Sequence, residues 1–152
     1  KIDHAYASDY TRAKMTAEEI LRYHPHLPLN LVADLRERNK GSFIGKSYEE
    51  GRRAVRESGA EPHMYRWPGG ESALDVQQRA AGFLDMLKER HYGETVLAVS
   101  HGIFMTVFML YLQKQGFNDW EQYTHENTGI TEIIFREDGH DIVRKNCTRH
   151  LG

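Results

Sequence analysis

Segment 94–113 constrains the fold of this chain more than any other feature. Residues 94–99 are a short, largely apolar run that ends on a Ser-His-Gly turn, and residues 103–113 are long and apolar enough for a buried helix. This order predicts a buried parallel strand that leads into a packed helix. His101 would then lie between a strand end and a helix N-terminus, where open α/β sheets bind ligands and free N–H groups attract anions. A histidine at this position indicates phosphate chemistry.

Composition restricts the classes of partner. The chain of 152 residues supports a single domain, residues 1–152. Its 20 Lys and Arg residues do not exceed its 22 Asp and Glu residues, so we expect neither nucleic acid nor an anionic membrane as a partner. No apolar stretch reaches the roughly 20 residues that cross a bilayer. The only cysteine, Cys147, excludes an internal disulfide and favours a reducing, cytoplasmic location.

Hydrophobic patterning predicts the remaining elements of an α/β fold. We expect strands over residues 2–7, 29–35 and 129–135, helices starting near Thr11, at Tyr48 and after Ser72, and a hairpin at Asp138-Gly139. Asp9 or Thr11 would cap the first helix, whose apolar face comprises Ala13, Met15, Ala17, Ile20 and Leu21. Ser72 would cap the third, whose buried side comprises Leu74, Val76, Ala80, Phe83, Leu84 and Leu87.

Two charged groups follow predicted strands. Arg12 stands in the first turn after a strand and offers a bidentate fork for phosphate oxygens, although an exposed arginine in a solvated ion pair fits the pattern too. Glu37 follows the second strand, and a carboxyl group facing a cleft there can protonate a leaving oxygen. A structural ion pair between Glu37 and its neighbours Arg36 and Arg38 is the alternative.

Two further clusters leave similar alternatives open. The Trp-Pro-Gly-Gly-Glu-Ser segment at residues 67–72 is either a turn with a helix cap or a loop that carries Glu71 towards a substrate. His101 is either a structural histidine or a catalytic one, and its position between a strand and a helix favours the second. The arginines at positions 52, 53 and 56 are better explained by a solvated helix face than by a substrate phosphate.

The order of these motifs carries a resemblance to a known family. Six segments contribute to it, at residues 8–17, 35–46, 69–79, 99–102, 127–132 and 146–151. Among them are Ser-Asp-x-x-Arg-Ala-x-x-Thr-Ala, Leu-Arg-Glu with Gly-x-x-x-Gly-Lys, Gly-Gly-Glu-Ser and Val-Ser-His-Gly. Together they resemble the phosphoglycerate mutase-like branch of the histidine phosphatase superfamily. The resemblance implies a three-layer α/β sandwich with a mainly parallel sheet.

The resemblance also implies a mechanism and a set of residues. A catalytic histidine of the family takes the phosphoryl group of a small phosphorylated metabolite as phosphohistidine, and water or a second substrate then accepts it. By matched positions, Arg12, His101 and Gly102 would bind the phosphate, with His101 counted among the catalytic residues, and Glu37 would be the proton donor. We also expect substrate contacts from Lys46, Arg66 and Glu71. No metal or organic cofactor is implied, and no spacing of His, Cys, Asp or Glu is typical of a metal site.

The chain departs from the family at one essential motif. The family begins with a strand ending in Arg-His-Gly, which carries the nucleophile, and a helix; residues 1–152 contain no such triplet. We therefore expect the chain to be truncated, with the nucleophile in an N-terminal segment that it lacks. Alone it would be inactive, and loss of a middle strand would expose two strand edges.

The short segment 46–69 is more similar to the phosphatases of the family than to its mutases. We therefore interpret the complete protein as a phosphomonoester hydrolase. A mutase-type phosphotransferase is one alternative, and a non-catalytic member that binds phosphate or a partner is another. Exposed Phe117 and Trp120 would offer a contact for a second copy, as in a homo-oligomer.

Overall fold

The computed structural model describes residues 1–152, and its elements follow the predicted α/β order. They are β1 (His4–Ala7), α1 (Thr11–Leu21), β2 (Leu29–Leu31), α2 (Tyr48–Ser58), α3 (Ala73–Arg90), β3 (Val96–Val99), α4 (Gly102–Leu112), β4 (Ile130–Arg136) and β5 (Gly139–Cys147). Short 3-10 turns cover residues 33–35, 41–43, 117–123 and 149–151. The predicted fold class and the hairpin between β4 and β5 are confirmed.

The strands form two separate sheets. β1 lies between β2 and β3, and all three run parallel, with Ala7 opposite both Leu31 and Val99. β4 and β5 pair only with each other, in antiparallel register. β3 is therefore an edge strand despite its apolar sequence, and its Ala98 is exposed.

Helices cover both faces of the parallel sheet. Side chains alternate along β1, so Tyr6 points to one face, where its ring packs edge-on against Phe83 of α3 at 5.9 Å. Ala5 and Ala7 point to the other face and are fully buried. That face is covered by α1, which contacts all three strands. The main core lies between α3, α4 and Leu35, which confirms the layered arrangement.

The second strand is shorter than predicted. β2 ends at Leu31, and Val32 donates a last hydrogen bond to the carbonyl of Ala7 (2.8 Å). Since β1 also ends at Ala7, the chain finds no further ladder partner and turns into a 3-10 helix over Ala33–Leu35. This turn buries Leu35 completely. A buried leucine is expected in a strand as well, so the sequence alone did not distinguish the two.

Three expectations for the helices are wrong. Neither Asp9 nor Thr11 caps α1: Tyr10 is the N-cap residue, without a side-chain cap bond, because Asp9 is bound by Arg36. Met15 is 62% exposed, since the stripe that α1 buries is narrow. Leu74 is 37% exposed in the first turn of α3. The residues buried in those two helices are Ala13, Ala17 and Leu21 of α1 and Ala73, Val76, Ala80, Phe83 and Leu84 of α3.

Phe117 and Trp120 are not exposed, contrary to prediction. Both are partly buried and pack against the two hydrophobic clusters that α4 joins. Phe117 also stacks on His63, with ring centroids 4.7 Å apart. These residues therefore close the core beside α4, and the homo-oligomer stays a prediction. α4 itself is almost wholly apolar, yet neither it nor any other helix here combines the length and hydropathy needed to cross a bilayer.

Candidate active site

The carboxyl ends of β1 and β3 bring two polar side chains together. The two strands are in register up to Ala7 and Val99, and the N–H of Ser8 donates to the carbonyl of Val99 (2.9 Å). Ser8 therefore lies beside the turn that enters α4. The N-cap residue of α4 is His101, in an extended conformation that directs its side chain away from the helix. The strand and helix predicted around this histidine are confirmed.

The imidazole of His101 is held on both nitrogens. Nε of Arg12 donates to Nδ1 (3.1 Å), and Nε2 lies 2.8 Å from Oγ of Ser8. Because Nδ1 accepts a hydrogen bond, the neutral ring carries its proton on Nε2 and donates it to Ser8. Tyr10 packs edge-on against the ring at 5.5 Å. With 6% of its surface exposed, His101 is fixed in one tautomer and one orientation.

Electrostatics keep His101 neutral. Burial lowers the pKa of its imidazole below the ordinary 6.5, and the positive charge of Arg12 lowers this pKa further. Arg79 acts in the same direction, whereas Glu37 opposes it. The site thus presents the guanidinium charge of Arg12, held in place by an uncharged imidazole, and this fixed positive charge suits an anionic ligand.

Glu37 lies at the N-terminus of α4. Its carboxylate oxygens accept hydrogen bonds from the backbone N–H groups of Ile103 (3.2 Å), Phe104 (3.3 Å) and Arg38 (2.8 Å). The positive end of the helix dipole stabilises a negative charge there. The alternative of an ion pair with the neighbouring arginines is wrong. Arg36 pairs with Asp9, and the guanidinium of Arg38 lies 5.3 Å over the ring of Trp67.

A cavity of about 220 Å³ opens beside these groups. Six of its lining residues are Tyr10, Arg36, Glu37, Asn39, Glu71 and Arg79. Tyr10 connects the cavity to the buried histidine, because its ring contacts both His101 and the guanidinium of Arg12 (5.3 Å). The cavity therefore adjoins the Arg12–His101 pair, with one carboxylate, Glu37, between cavity and helix.

An ion pair builds one wall of the cavity. Nε of Arg79 donates to the Glu71 carboxylate (2.9 Å), and Nη1 donates to the carbonyl of Asp34 (2.5 Å). The other Glu71 oxygen accepts from the backbone N–H of Asn39 (2.8 Å). Glu71 thus lines the cavity, but its carboxylate is already bound by Arg79 and by the N–H of Asn39. The helix cap that Ser72 was expected to form is present, as a capping box with Asp75.

Two glycines allow the cavity loops to touch. The backbones at Gly41 and Gly70 lie so close that a Cβ on Gly41 would collide with the carbonyl of Pro68, and one on Gly70 with the carbonyl of Asn39. Gly41 also has a φ of +51°, which disfavours other residues. Loop 39–42 and loop 68–71 are therefore joined backbone to backbone.

The predicted site residues divide into two groups. Arg12, Glu37, His101 and Gly102 meet around the start of α4, and Glu71 lines the adjoining cavity. Lys46 and Arg66 lie outside this group. Lys46 pairs with Glu50 (3.6 Å), and Arg66 pairs with Asp75 (2.5 Å). Arg52, Arg53 and Arg56 are exposed on α2, in agreement with a solvated helix face.

Sequence reasoning missed Ser8 and Tyr10 as parts of the site. Both follow β1 directly, and a polar residue after a strand that neighbours β3 was the available signal. It also missed a cluster at the opposite end of the sheet. There His4, His91 and Glu94 form the only group of three His, Cys, Asp or Glu side chains that lie close enough to share a metal ion.

The chain is similar to known proteins over most of its length. Phosphoserine phosphatase 1 of Hydrogenobacter thermophilus is 29% identical over 99% of this chain and 73% of its own length. The 2,3-bisphosphoglycerate-dependent phosphoglycerate mutase of Bartonella tribocorum is 32% identical over 88% of this chain and 68% of its own length. The structure of YhfR from Bacillus stearothermophilus superposes with a TM-score of 0.85 at 27% identity, over the whole chain and 77% of that protein.

A family model gives the broadest match. The model for the histidine phosphatase superfamily, branch 1, matches residues 1–148. Together with the phosphatase and mutase relatives, this match confirms the resemblance inferred from the order of the motifs. The chain belongs to the histidine phosphatase superfamily, branch 1.

Proposed function

We propose that the protein is a phosphomonoester hydrolase that works through a phosphohistidine intermediate. One observation carries the proposal: Arg12 and the buried, neutral His101 are hydrogen-bonded to each other at the carboxyl end of β3, beside the N-terminus of α4. A positioned guanidinium beside a helix N-terminus favours a phosphate group. Phosphoryl transfer depends mainly on such positioned positive charge.

Arg12 and His101 would act as the phosphate clamp. Only Nε of Arg12 is used by His101, and the two Nη groups make no hydrogen bond within the chain. They can therefore bind phosphate oxygens. A dianionic phosphate would favour proton uptake at Nδ1 of His101, and Nδ1–H would then donate to a phosphate oxygen in place of accepting from Nε of Arg12. Gly102, at the first position of α4, would add its backbone to the same anion site.

Glu37 would move the proton in both half-reactions. In the first, the nucleophilic histidine forms a P–N bond, the P–O bond to the leaving alcohol breaks, and Glu37 donates a proton to the alcohol oxygen. In the second, water attacks phosphorus, its proton passes to the Glu37 carboxylate, and the P–N bond breaks. The hydrogen bonds from α4 fix the position of the Glu37 carboxyl group beside the cavity, where it can exchange this proton.

The nucleophilic histidine is proposed to lie outside residues 1–152, because no Arg-His-Gly triplet occurs among them. By this proposal the chain alone is inactive. The substrate class would be a small phosphorylated metabolite, and the name of the first relative above makes phosphoserine a suitable first candidate. The absence of a disulfide pair supports a cytoplasmic location.

Two substrates with different leaving groups test the role of Glu37. Phosphoserine has a poor alkoxide leaving group, whereas p-nitrophenyl phosphate needs little protonation. In the protein that also carries the nucleophile, Glu37→Gln should lower kcat on phosphoserine by about 10²-fold or more, and on p-nitrophenyl phosphate by much less.

Glu19→Gln is the matched control, because Glu19 is an exposed carboxylate that pairs with Arg22 on α1. It should change neither rate. Equal losses on both substrates in the Glu37 variant would remove Glu37 as the acid. Failure of the unaltered protein to release phosphate from either substrate would overturn the proposed function. Transfer of the phosphoryl group to a second metabolite in place of water would favour the mutase alternative.

A further inference from the structure

A cluster of two histidines and a glutamate lies at the amino end of the parallel sheet. His4 is the first residue of β1, His91 is the C-cap residue of α3, and Glu94 lies in the turn that leads to β3. One ligand atom from each residue lies within 4.8 Å of the other two. The fold therefore brings together side chains from two distant segments of the chain.

The three side chains already converge on one oxygen. Oε2 of Glu94 lies 2.9 Å from Nε2 of His4 and 2.8 Å from Nδ1 of His91. The two imidazole rings are 4.1 Å apart, centroid to centroid. The side chain of His91 is 8% exposed, whereas those of His4 and Glu94 are 36% and 41% exposed. The cluster thus has a fixed inner histidine and an outer side that is open to solvent.

His91 is also oriented from behind. The hydroxyl of Tyr6 lies 2.7 Å from Nε2 of His91, on the side of the ring away from Glu94. A hydrogen bond of this kind fixes the orientation of the ring, as the outer partners of metal-bound histidines do. In the metal-free protein, Nδ1–H donates to the carboxylate of Glu94, and Nε2 accepts from the hydroxyl of Tyr6. A bound metal ion would displace the Nδ1 proton, and Nε2–H would then donate to Tyr6.

We propose that His4, His91 and Glu94 bind a divalent transition metal ion of the zinc type. Two neutral imidazoles and one carboxylate are a recognised ligand set for zinc, with water completing a tetrahedral site. Bond lengths of about 2.0–2.1 Å place tetrahedral ligand atoms about 3.3 Å apart. The two separations from Oε2 of Glu94 therefore need to widen by only about 0.5 Å, a change that rotation of two partly exposed side chains provides.

This metal site is independent of the phosphate site. His4 and Ser8 stand at opposite ends of β1, roughly 13 Å apart at the usual rise per residue of a strand. The nearby carboxylate of Asp3 is engaged by Lys1 (2.9 Å) and by the N–H of Thr95 (3.1 Å). Asp3 and Lys1 therefore pair with each other and not with the three proposed metal ligands. The bound ion would join the start of β1 to the end of α3, and so would stabilise the fold without entering the reaction.

Metal titration of the protein tests the proposal. The protein should carry no histidine tag and should first be stripped with a chelator. Zn²⁺ is then expected to bind with one-to-one stoichiometry and to raise Tm, because the ligands meet only in the folded chain. Co²⁺, used as a probe, should give the visible absorption of a low-coordinate nitrogen and oxygen site. Phosphatase activity should be unchanged by the ion.

Two variants and one control locate the site. Glu94→Gln keeps the shape of an exposed side chain and should abolish both the rise in Tm and the Co²⁺ spectrum. His91→Ala should do the same, with Tm of the metal-free variant as its reference. The control is the double variant His24→Ala, His26→Ala, which removes two histidines from the connector around Pro25 and should bind as the unaltered protein does. Absence of one-to-one binding in the unaltered protein, or its persistence in Glu94→Gln, overturns the proposal.

Discussion

The two ends of the parallel sheet use histidine in opposite ways. At the carboxyl end, His101 accepts a hydrogen bond from the cation of Arg12 and is held neutral. At the amino end, His4 and His91 face the anion of Glu94. The same side chain thus belongs to an anion site at one end and to a proposed cation site at the other. The charge of the partner, and not the histidine, decides which ligand the site attracts.

The fold explains why the partners differ. The carboxyl end meets the N-terminus of α4, where free N–H groups create a positive potential. The amino end meets the C-terminus of α3, where free carbonyl groups create a negative one. Successive parallel strands joined by helices always produce this polarity. Each end therefore favours one sign of ligand before any side chain is chosen.

Removal of His101 should have the largest effect on this comparison. His101→Ala should lower kcat/KM for phosphate monoesters by about 10²–10³-fold, the loss found when a single positioned donor is removed from a charged transition state. Binding of Zn²⁺ should be unaffected, because the ion is proposed to bind at the other end of the sheet. Steady-state kinetics and a parallel Zn²⁺ titration measure both. Near-normal turnover would remove His101 from the reaction.

The two ends should also differ in what their ion pairs contribute to stability. The side chains of Arg79 and Glu71 are 15% and 24% exposed, so Arg79→Ala leaves a half-buried carboxylate without its partner. We expect a loss of about 2–3 kcal/mol in the free energy of unfolding. Glu94→Gln, at a site open to solvent, should cost clearly less in metal-free protein.

Urea unfolding of both variants near neutral pH measures these losses. Two equal losses would contradict the distinction between a buried and an exposed pair. The comparison requires chelator-treated protein, because bound metal would add to the stability of the amino end alone.

The smallest expected effect is a change in the pKa of His101. Arg12→Gln removes a positive charge beside the ring, so this pKa should rise towards 6.5 while remaining lowered by burial. Imidazole NMR across a pH titration measures it. Because the folded-state pKa lies below the unfolded one, the stability that neutral His101 contributes is complete above about pH 6.5 and is lost as pH falls through the folded value. A pKa that falls in Arg12→Gln would contradict this account.

Much of the fold could be predicted because its signals are local. The apolar run before the Ser-His-Gly turn, the cap at Ser72 and the Asp138-Gly139 hairpin each depend on a few adjacent residues, and each is present. The end of β2 could not be found this way. It is set by where β1 ends, so Leu35 reaches the core from a 3-10 turn and not from a strand.

The site was predictable to the same degree. Arg12, Glu37 and His101 follow strand ends, and a parallel sheet brings strand ends together. The roles of the remaining charged residues depend on distant partners. Glu71 forms an ion pair with Arg79, and Arg66 forms one with Asp75. The cluster of His4, His91 and Glu94 escaped detection for the same reason, since its members come from segments that only the folded sheet brings together.

The close backbone contact between loop 39–42 and loop 68–71 determines how this site can be altered. Since the backbones at Gly41 and Gly70 leave no room for a side chain, a substitution at either position does not narrow the cavity but pushes its two loops apart. The contact between these two loops therefore tolerates no side chain at Gly41 or Gly70. Redesign of its selectivity must proceed from lining side chains that take no part in this contact, such as Arg36, which pairs with Asp9.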